Sequence, residues 1–274
     1  MKKILPSVFI TASIFILMPY KVYALDISVG AAAMYAWWEM DLKKDSATSE
    51  SHERNIDPAF LYGPTLSIKF NRNFNLTFVY LYGKFDFKDS FNSISDMYGT
   101  KKRSDGDLAL NYRLNDYFKA FAGIKHMACK YEMTKLKTGV PGVEYNSHIE
   151  HSGFGPGAGL SCTVPVAENL FILATLSGFY LWGDHKEKTF LVAPSTKENR
   201  KFDYTEYGIN SNLSVAYYIT PASTAISLGG RFQYFKTVFD KPAGLLDRTN
   251  NYNTKSKFYG VTLAATYTFS TRID

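Results

Sequence analysis

From residue 25 onward, apolar residues recur at every second position, and no stretch is apolar for long enough to cross a bilayer as a helix. Successive side chains of a β-strand point to opposite faces, so a period of two sorts the residues onto two faces. Phe74, Leu76, Phe78, Tyr80 and Tyr82 form one apolar face, with Asn75, Thr77, Val79, Leu81 and Gly83 between them. Leu170, Ile172, Ala174, Leu176, Gly178, Tyr180 and Trp182 form a second. Tyr207, Ile209, Leu213, Val215, Tyr217 and Ile219 belong to a third, and Tyr259, Val261, Leu263, Ala265, Tyr267 and Phe269 to a fourth. No window of similar length has a 3.6-residue period, so the chain reads as all-β.

Ten strands are predicted, at about 26–40, 58–70, 74–87, 104–114, 117–131, 150–165, 169–183, 203–219, 224–239 and 256–269; counts from eight to twelve stay open. Their connections alternate in length. Asn71-Arg72-Asn73, Asn115-Asp116, Ala167-Glu168 and Thr220-Pro221-Ala222-Ser223 are short and have turn chemistry. The others, about 41–57, 88–103, 132–149, 184–202 and 240–255, are long and polar. Strict long-short alternation fits a single antiparallel up-and-down transmembrane barrel with short periplasmic turns, long extracellular loops and both termini in the periplasm.

The second face of each strand is small, polar or charged. It carries Lys69, then Asp105, Asp107, Asn111 and Arg113, then Lys119 and Lys125. Later strands add Glu206, Asn210 and Asn212, then Gly229, Arg231 and Gln233. Charges confined to one parity are costly in a dry sandwich core but suit a wet barrel lumen. The apolar parity is then the lipid face. Tyr35, Trp37, Tyr62, Tyr80, Tyr82, Tyr180 and Trp182 fall near outer strand ends, and Phe70, Phe74, Tyr112, Tyr217, Tyr267 and Phe269 near inner ends. Aromatic girdles at both headgroup levels are expected there. Averaging over both faces explains how 46% hydrophobic and 16% aromatic residues coexist with a mean hydropathy of -0.17.

The N-terminus reads as an address. Met1-Lys2-Lys3, an apolar stretch from Ile4 to Met18 and Val22-Tyr23-Ala24 have the pattern of a secretory signal peptide, residues 1–24, followed by a barrel domain over 25–274. Its removal takes away Lys2, Lys3 and Lys21 and lowers the formal net charge from +6 to +3. So small a charge on an exported chain calls for no nucleic-acid partner.

On these features the whole stretch after residue 24 resembles bacterial outer-membrane β-barrel proteins. The resemblance implies an integral outer-membrane protein of a Gram-negative-type envelope, surrounded by outer-membrane lipid and lipopolysaccharide. It also implies handling by periplasmic chaperones and the barrel-assembly machinery during biogenesis. Tyr267 and Phe269 in the last strand look like the aromatic C-terminal assembly signal of such proteins, although five residues follow Phe269 here. Ten strands with Asp105 and Asp107 on one side and Asp184-His185 on another also resemble, weakly, the omptin outer-membrane proteases. Asp184 and His185 are adjacent, however, and point to opposite faces, where an omptin-like site wants one residue between them. No catalytic residue is assigned.

The remaining chemistry is sparse. Cys129 and Cys162 have opposite parity and are not expected to bridge. The five histidines show no metal-ligand spacing, and no cofactor is called for. Lumen charges at Lys69, Asp105, Asp107, Arg113, Lys119, Lys125, Glu206 and Arg231 form either a pore lining or a salt-bridge network. Gly153, Gly155, Gly157 and Gly159 make a glycine wall that either opens a narrow pore or lets bulky neighbours such as Phe121 or Tyr204 lean across. A structural, surface-exposed barrel with room for a narrow pore is the leading reading, a porin-like small-solute channel the alternative, and an omptin-like rim hydrolase the second alternative. Oligomeric state is not legible. The stretches 184–202 and 240–255 are net basic, and read either as solvated loops or as contacts for lipopolysaccharide phosphates or anionic host polymers.

Overall fold

In the computed structural model of the chain, residues 26–44, 52–53, 55–91, 95–137, 144–191, 196–240 and 252–270 are described. The predicted leader, residues 1–24, lies outside them. Strands run in the order β1 (Asp26–Lys44), β2 (His52–Glu53), β3 (Asn55–Ile56), β4 (Ala59–Lys69), β5 (Phe74–Phe91) and β6 (Ser95–Arg113). They continue with β7 (Phe118–Lys137), β8 (Glu144–Ala167), β9 (Leu170–Leu191), β10 (Thr196–Ile219), β11 (Thr224–Phe239) and β12 (Tyr252–Ser270). The two-residue strands β2 and β3 attach to β1 and β5, and the other ten form the barrel. Each barrel strand pairs antiparallel with its sequence neighbour. β12 then pairs with β1 from Asp26 opposite Ser270 to Lys44 opposite Tyr252, which closes the ring.

The four tight turns share one rim with the paired strand ends Asp26 and Ser270. Asn71 Oδ1 accepts the backbone N–H groups of Asn73 at 2.8 Å and Phe74 at 2.9 Å. Asn115 Oδ1 does the same for Tyr117 at 2.9 Å and Phe118 at 2.8 Å. A short polar side chain thereby stands in for a backbone carbonyl and reverses the chain. The third turn uses Asn169 at φ 63°, and the fourth a 3₁₀ turn over Thr220–Ala222 followed by Ser223 at φ 46°.

The opposite rim corrects the expected strand limits. β8 begins at Glu144 rather than 150, β9 continues to Leu191 rather than 183, and β10 begins at Thr196 rather than 203. Much of what reads as long loop is therefore paired hairpin. The apolar alternation ends where the strand leaves lipid, but antiparallel pairing does not. At ~3.3 Å per residue and a tilt near ~40°, the longest strands rise roughly 60 Å, against an apolar band ~25 Å tall in barrels of this kind.

That band is visible on the outside. On β1 the outward set Ile27 to Trp37 covers ten residue steps, about 25 Å of height at this rise and tilt. Leu160, Leu176, Leu213, Leu228 and Leu263 are among the exposed apolar side chains of other strands. Water does not tolerate so continuous an apolar surface, and lipid does. At its outer edge Trp37 stacks on Tyr259 with centroids 5.8 Å apart, Tyr35 lies 4.8 Å from Phe60, and Tyr180 lies 5.1 Å from Trp182. At its inner edge Phe74 meets Tyr112 at 5.0 Å, and Tyr267 meets Phe269 at 4.6 Å.

Above the outer girdle the parity inverts. Outward positions become charged, as at Glu39, Lys84, Lys102 and Lys257, and inward ones become apolar. Trp38, Met40, Phe85, Phe87, Phe235 and Phe258 are buried inside the barrel, together with Met34, Leu61, Leu81 and Leu181. The lower lumen keeps the predicted small polar lining, including Ser28, Ser67, Asn75 and Thr77, and these are only partly buried. The expectation of a polar lumen thus holds for the turn-side half and fails for the other, where a dry core fills the ring.

Introducing a charge on the lipid face tests the embedded band. Leu213→Arg, near mid-height on β10, is expected to destabilise the lipid-refolded barrel by about 2–4 kcal/mol. Urea titration followed by heat-modifiable gel migration measures this; an unchanged midpoint would mean that Leu213 does not face lipid.

Candidate functional site

The predicted lumen charges separate into three places. Asp105, Asp107, Lys125 and Arg231 converge where the wet lower lumen meets the dry upper core. Lys69 pairs instead with Asp26 at 3.4 Å, and Arg113 with Asp116, both at the turn-side rim. Lys119 lies on that same lower section of β7, beside Arg113 in register. Arg113 is eight positions along β6 from Asp105, about 26 Å of extended strand, so no single network could include them all. Glu206 sits on the upper side of the junction.

Arg103, which parity reading passes over, is the centre of the junction. Its Nη2 donates to both oxygens of Asp105 at 3.1 Å and to Gln233 Oε1 at 2.9 Å. Gln233 Nε2 in turn lies 3.4 Å from Met127 Sδ. Arg103 belongs to β6 and Gln233 to β11, five strands away around a ring of ten, so this bond crosses the full diameter. Arg231 of β11 reaches back: its Nη2 is 3.6 Å from Asp105 Oδ2 and 3.9 Å from Asp107 Oδ2, while its Nε donates to Asn210 Oδ1 at 3.0 Å. Lys125 Nζ lies 3.0 and 3.2 Å from the two oxygens of Asp107. Exposure marks where water stops: Asp107 is 39% exposed toward the lower lumen, Asp105 1% and Arg103 0%.

Burying these ions is costly, and ion pairing alone does not offset it. Among the described residues, the cations Lys101, Arg103, Lys125 and Arg231 gather with the acids Asp105, Asp107 and Glu206. Aromatic faces add to the stabilisation of two of these cations. The Arg103 guanidinium carbon lies 3.9 Å from the Phe258 ring centroid and 4.6 Å from that of Trp38. Lys101 Nζ lies 3.0 Å from the Trp38 centroid and 4.3 Å from that of Tyr131. A quadrupole's negative face neutralises a cation without adding a second desolvated ion. Trp38, Phe235 and Phe258 therefore have an electrostatic role besides filling space.

Higher in the lumen, Glu206 accepts a hydrogen bond from Thr237 Oγ1 at 2.7 Å, and His151 Nε2 lies 3.6 Å from the same carboxylate oxygen. His151 stacks on Tyr204 with centroids 3.7 Å apart, and its Nδ1 is 3.4 Å from Nδ1 of His185. His185 stacks on Phe202 at 4.4 Å, and Phe239 packs edge-on against both imidazoles. His185 is directly opposite His151 in the β8–β9 ladder, a pairing that becomes readable once the hairpin register is known. Burial, with His151 beside it, holds the His185 imidazole down to about 3.

The glycine wall lies beneath rings. The Tyr204 phenol occupies the space that a side chain at Gly153 would need, and the Phe121 ring covers Gly159. Gly155 lies tight against the backbone of β9, while a side-chain carbon at Gly157 would make only ordinary contact with Gly178 and Phe179 of the same strand. Cys129 is buried inside, Cys162 lies on the outer face, and both are free. Tyr267 and Phe269 project from the outer face of β12 and are exposed. Among the described residues, no group of three His, Cys, Asp or Glu side chains is placed to hold a metal ion.

The omptin-like constellation does not assemble. Asp184 points outward and pairs with Lys201 at 3.5 Å, while His185 points inward onto Phe202. Asp105 is committed to Arg103 and Arg231 beneath the core.

No protein-family model matches the chain. No curated protein matches it either. Among solved structures, the outer membrane protease OmpT from Escherichia coli is similar, with a TM-score of 0.59 and 8% identity over 92% of this chain and 99% of that one. A major outer membrane protein from Thermus thermophilus matches with a TM-score of 0.41 and 10% identity over 90% of this chain and all of that one. OprG from Pseudomonas aeruginosa matches with a TM-score of 0.35 and 12% identity, covering 90% and 97% of the two chains. The fold is that of an outer-membrane β-barrel.

Two outcomes are expected of the junction and the histidine pair above it. Arg103→Ala leaves Asp105 buried without its cation and is expected to cost about 3–5 kcal/mol, read as a lowered urea midpoint. Acidification is expected to weaken the outer end. His185 is neutral in the folded chain down to about pH 3, whereas an unfolded histidine takes up a proton near 6.5. This contribution is present above pH 6.5 and is lost as pH falls from there toward 3. Amide hydrogen exchange in the upper parts of β9 and β10 should quicken between pH 7 and 5, after correction for intrinsic rates. His185→Phe should flatten that dependence; the same slope in the variant would acquit His185.

Proposed function

We propose that the protein is an integral barrel of a bacterial outer membrane whose lumen is closed, and that it serves as a structural element presenting a tall paired collar to the outside. The Arg103–Gln233 hydrogen bond across the full diameter, seated under aromatic side chains, carries this reading. Both ends of the barrel domain share the rim of tight turns, which is the periplasmic side in this assignment. The partners are outer-membrane lipid and lipopolysaccharide around the apolar band. The barrel-assembly machinery and periplasmic chaperones act earlier, with exposed Tyr267 and Phe269 on the last strand as the recognised signal. The protein is not an enzyme in this reading: the acids nearest a hydrolase arrangement are held in ion pairs.

The porin-like alternative draws on the partly wet lower lumen and Asp107 at its ceiling. It requires the junction to move, since Arg103, Asp105 and Gln233 are buried across the lumen. Single-channel recording in planar bilayers decides between the two. Wild type is expected to show no steady openings, and a variant that removes the bridge and its cover, Arg103→Ala with Trp38→Ala, is expected to leak. Steady openings of the wild type would overturn the closed-barrel reading. Heat-modifiable migration of the variant establishes that leakage comes from a folded barrel.

A further inference from the structure

The outward lysines just above the girdle are not treated alike around the ring. On β5 to β7, Lys84 is opposite Lys102 and Lys102 opposite Lys130, and each of these three has a carboxylate. Lys102 pairs with Glu132 at 2.9 Å, Lys130 with Glu150 at 3.1 Å, and Lys84 with Asp86 at 3.5 Å. On β11 and β12 the pattern changes. Lys236 is directly opposite Lys255, and no carboxylate among the described residues lies within ion-pair distance of either. Like charges directly opposite in a ladder destabilise it. Lys257, two positions nearer the membrane, faces Tyr234 across the ladder and adds a third ammonium, shared with Glu39 at 3.2 Å. Tyr207 is opposite Lys236 on the other flank.

The height of this cluster matters as much as its sign. Lys236 follows Tyr234 by two residues on the outward parity, and Lys257 precedes Tyr259 by two. These lysines therefore stand one outward position above the outer aromatic girdle. The anionic group available at that level is a lipid phosphate. An anion between Lys236 and Lys255 turns a repulsive pair into a clamp, and the neighbouring Tyr207 and Tyr234 phenols offer hydroxyl donors.

We infer that Lys236, Lys255 and Lys257, with Tyr207 and Tyr234, form a binding site for the phosphorylated headgroup of an outer-leaflet lipid. The site rests on the reading of the apolar band as embedded in an outer membrane, and deepens it by locating one lipid contact on one wall of the barrel. Because the groups face solvent, the contact weakens with ionic strength.

Native mass spectrometry of the full chain folded in detergent tests this, with bisphosphorylated lipid A and fully dephosphorylated lipid A as probes. Wild type is expected to retain the bisphosphorylated form and not the dephosphorylated one. Lys236→Gln with Lys255→Gln is expected to lower that retention by roughly ten-fold or more, since each lysine near such a surface contributes about five-fold. Lys84→Gln with Lys102→Gln, on the carboxylate-paired side, is expected to retain lipid as wild type does. Heat-modifiable migration confirms that each variant is folded. Equal retention by the Lys236/Lys255 variant, or no retention by wild type, would overturn the site. Equal retention of dephosphorylated lipid A would place the contact on acyl chains and overturn phosphate recognition. None of these results bears on whether the lumen is closed, which conductance decides separately.

Discussion

A strand inside a bilayer has no water to satisfy its backbone, so every N–H and C=O group must find a partner on another strand. Pairing of β12 with β1 meets that demand, and the rest of the molecule is arranged around it. Closure removes both sheet edges, turns each alternating strand into a wall with a lipid side and a lumen side, and brings the first and last residues of the barrel to the same rim. It also limits what the interior can hold, because ten strands enclose a lumen narrow enough for side chains from opposite walls to meet.

The wall continues past the membrane, and there the solvents exchange places. Lipid lies outside the lower section and water outside the upper. The same strand therefore has to present apolar residues outward at one height and inward at the next. β5 shows the switch within a few residues: Phe78, Tyr80 and Tyr82 face lipid, and Phe85 and Phe87 face the core. β1 does the same between Trp37 and Trp38. The protein is thus an inside-out barrel carrying a conventional water-soluble barrel above it. The buried ionic junction is the boundary between a wet lumen and a dry one. Such a boundary must contact water on one face, which accounts for Asp107 being partly exposed while Asp105 beside it is sealed.

Inversion of parity also explains what is legible in the sequence and what is not. The lipid-facing rows, the four tight turns and the ten-strand count follow from alternation and from Asn71, Asn115 and Thr220-Pro221, because these signals are local. The upper extensions of β8, β9 and β10 escape detection because a strand that reverses its apolar face has no single alternation to find. Asp105, Asp107, Lys125 and Arg231 are legible as lumen charges, but Lys69, Arg113 and Lys119 fall into the same group because parity carries no height. Arg103 and Lys101 look like loop residues when the strand is thought to begin at 104. Arg103 and Gln233 meet only after a ring of ten strands has closed, and neither residue's neighbours in sequence announce the other.

That last pair has a consequence for the order of events during assembly. The groups around Arg103 come from β6, β7, β11, β12 and β1, so they include both the first and last strands of the barrel. Hairpins can form one by one as the chain emerges, each complete in its own hydrogen bonds. The junction cannot, because Phe258 and Trp38 arrive together only when the seam zips. Until then the Arg103 guanidinium lacks its aromatic cover and lies open to water. The seal consequently cannot be complete before the seam between β12 and β1 has closed.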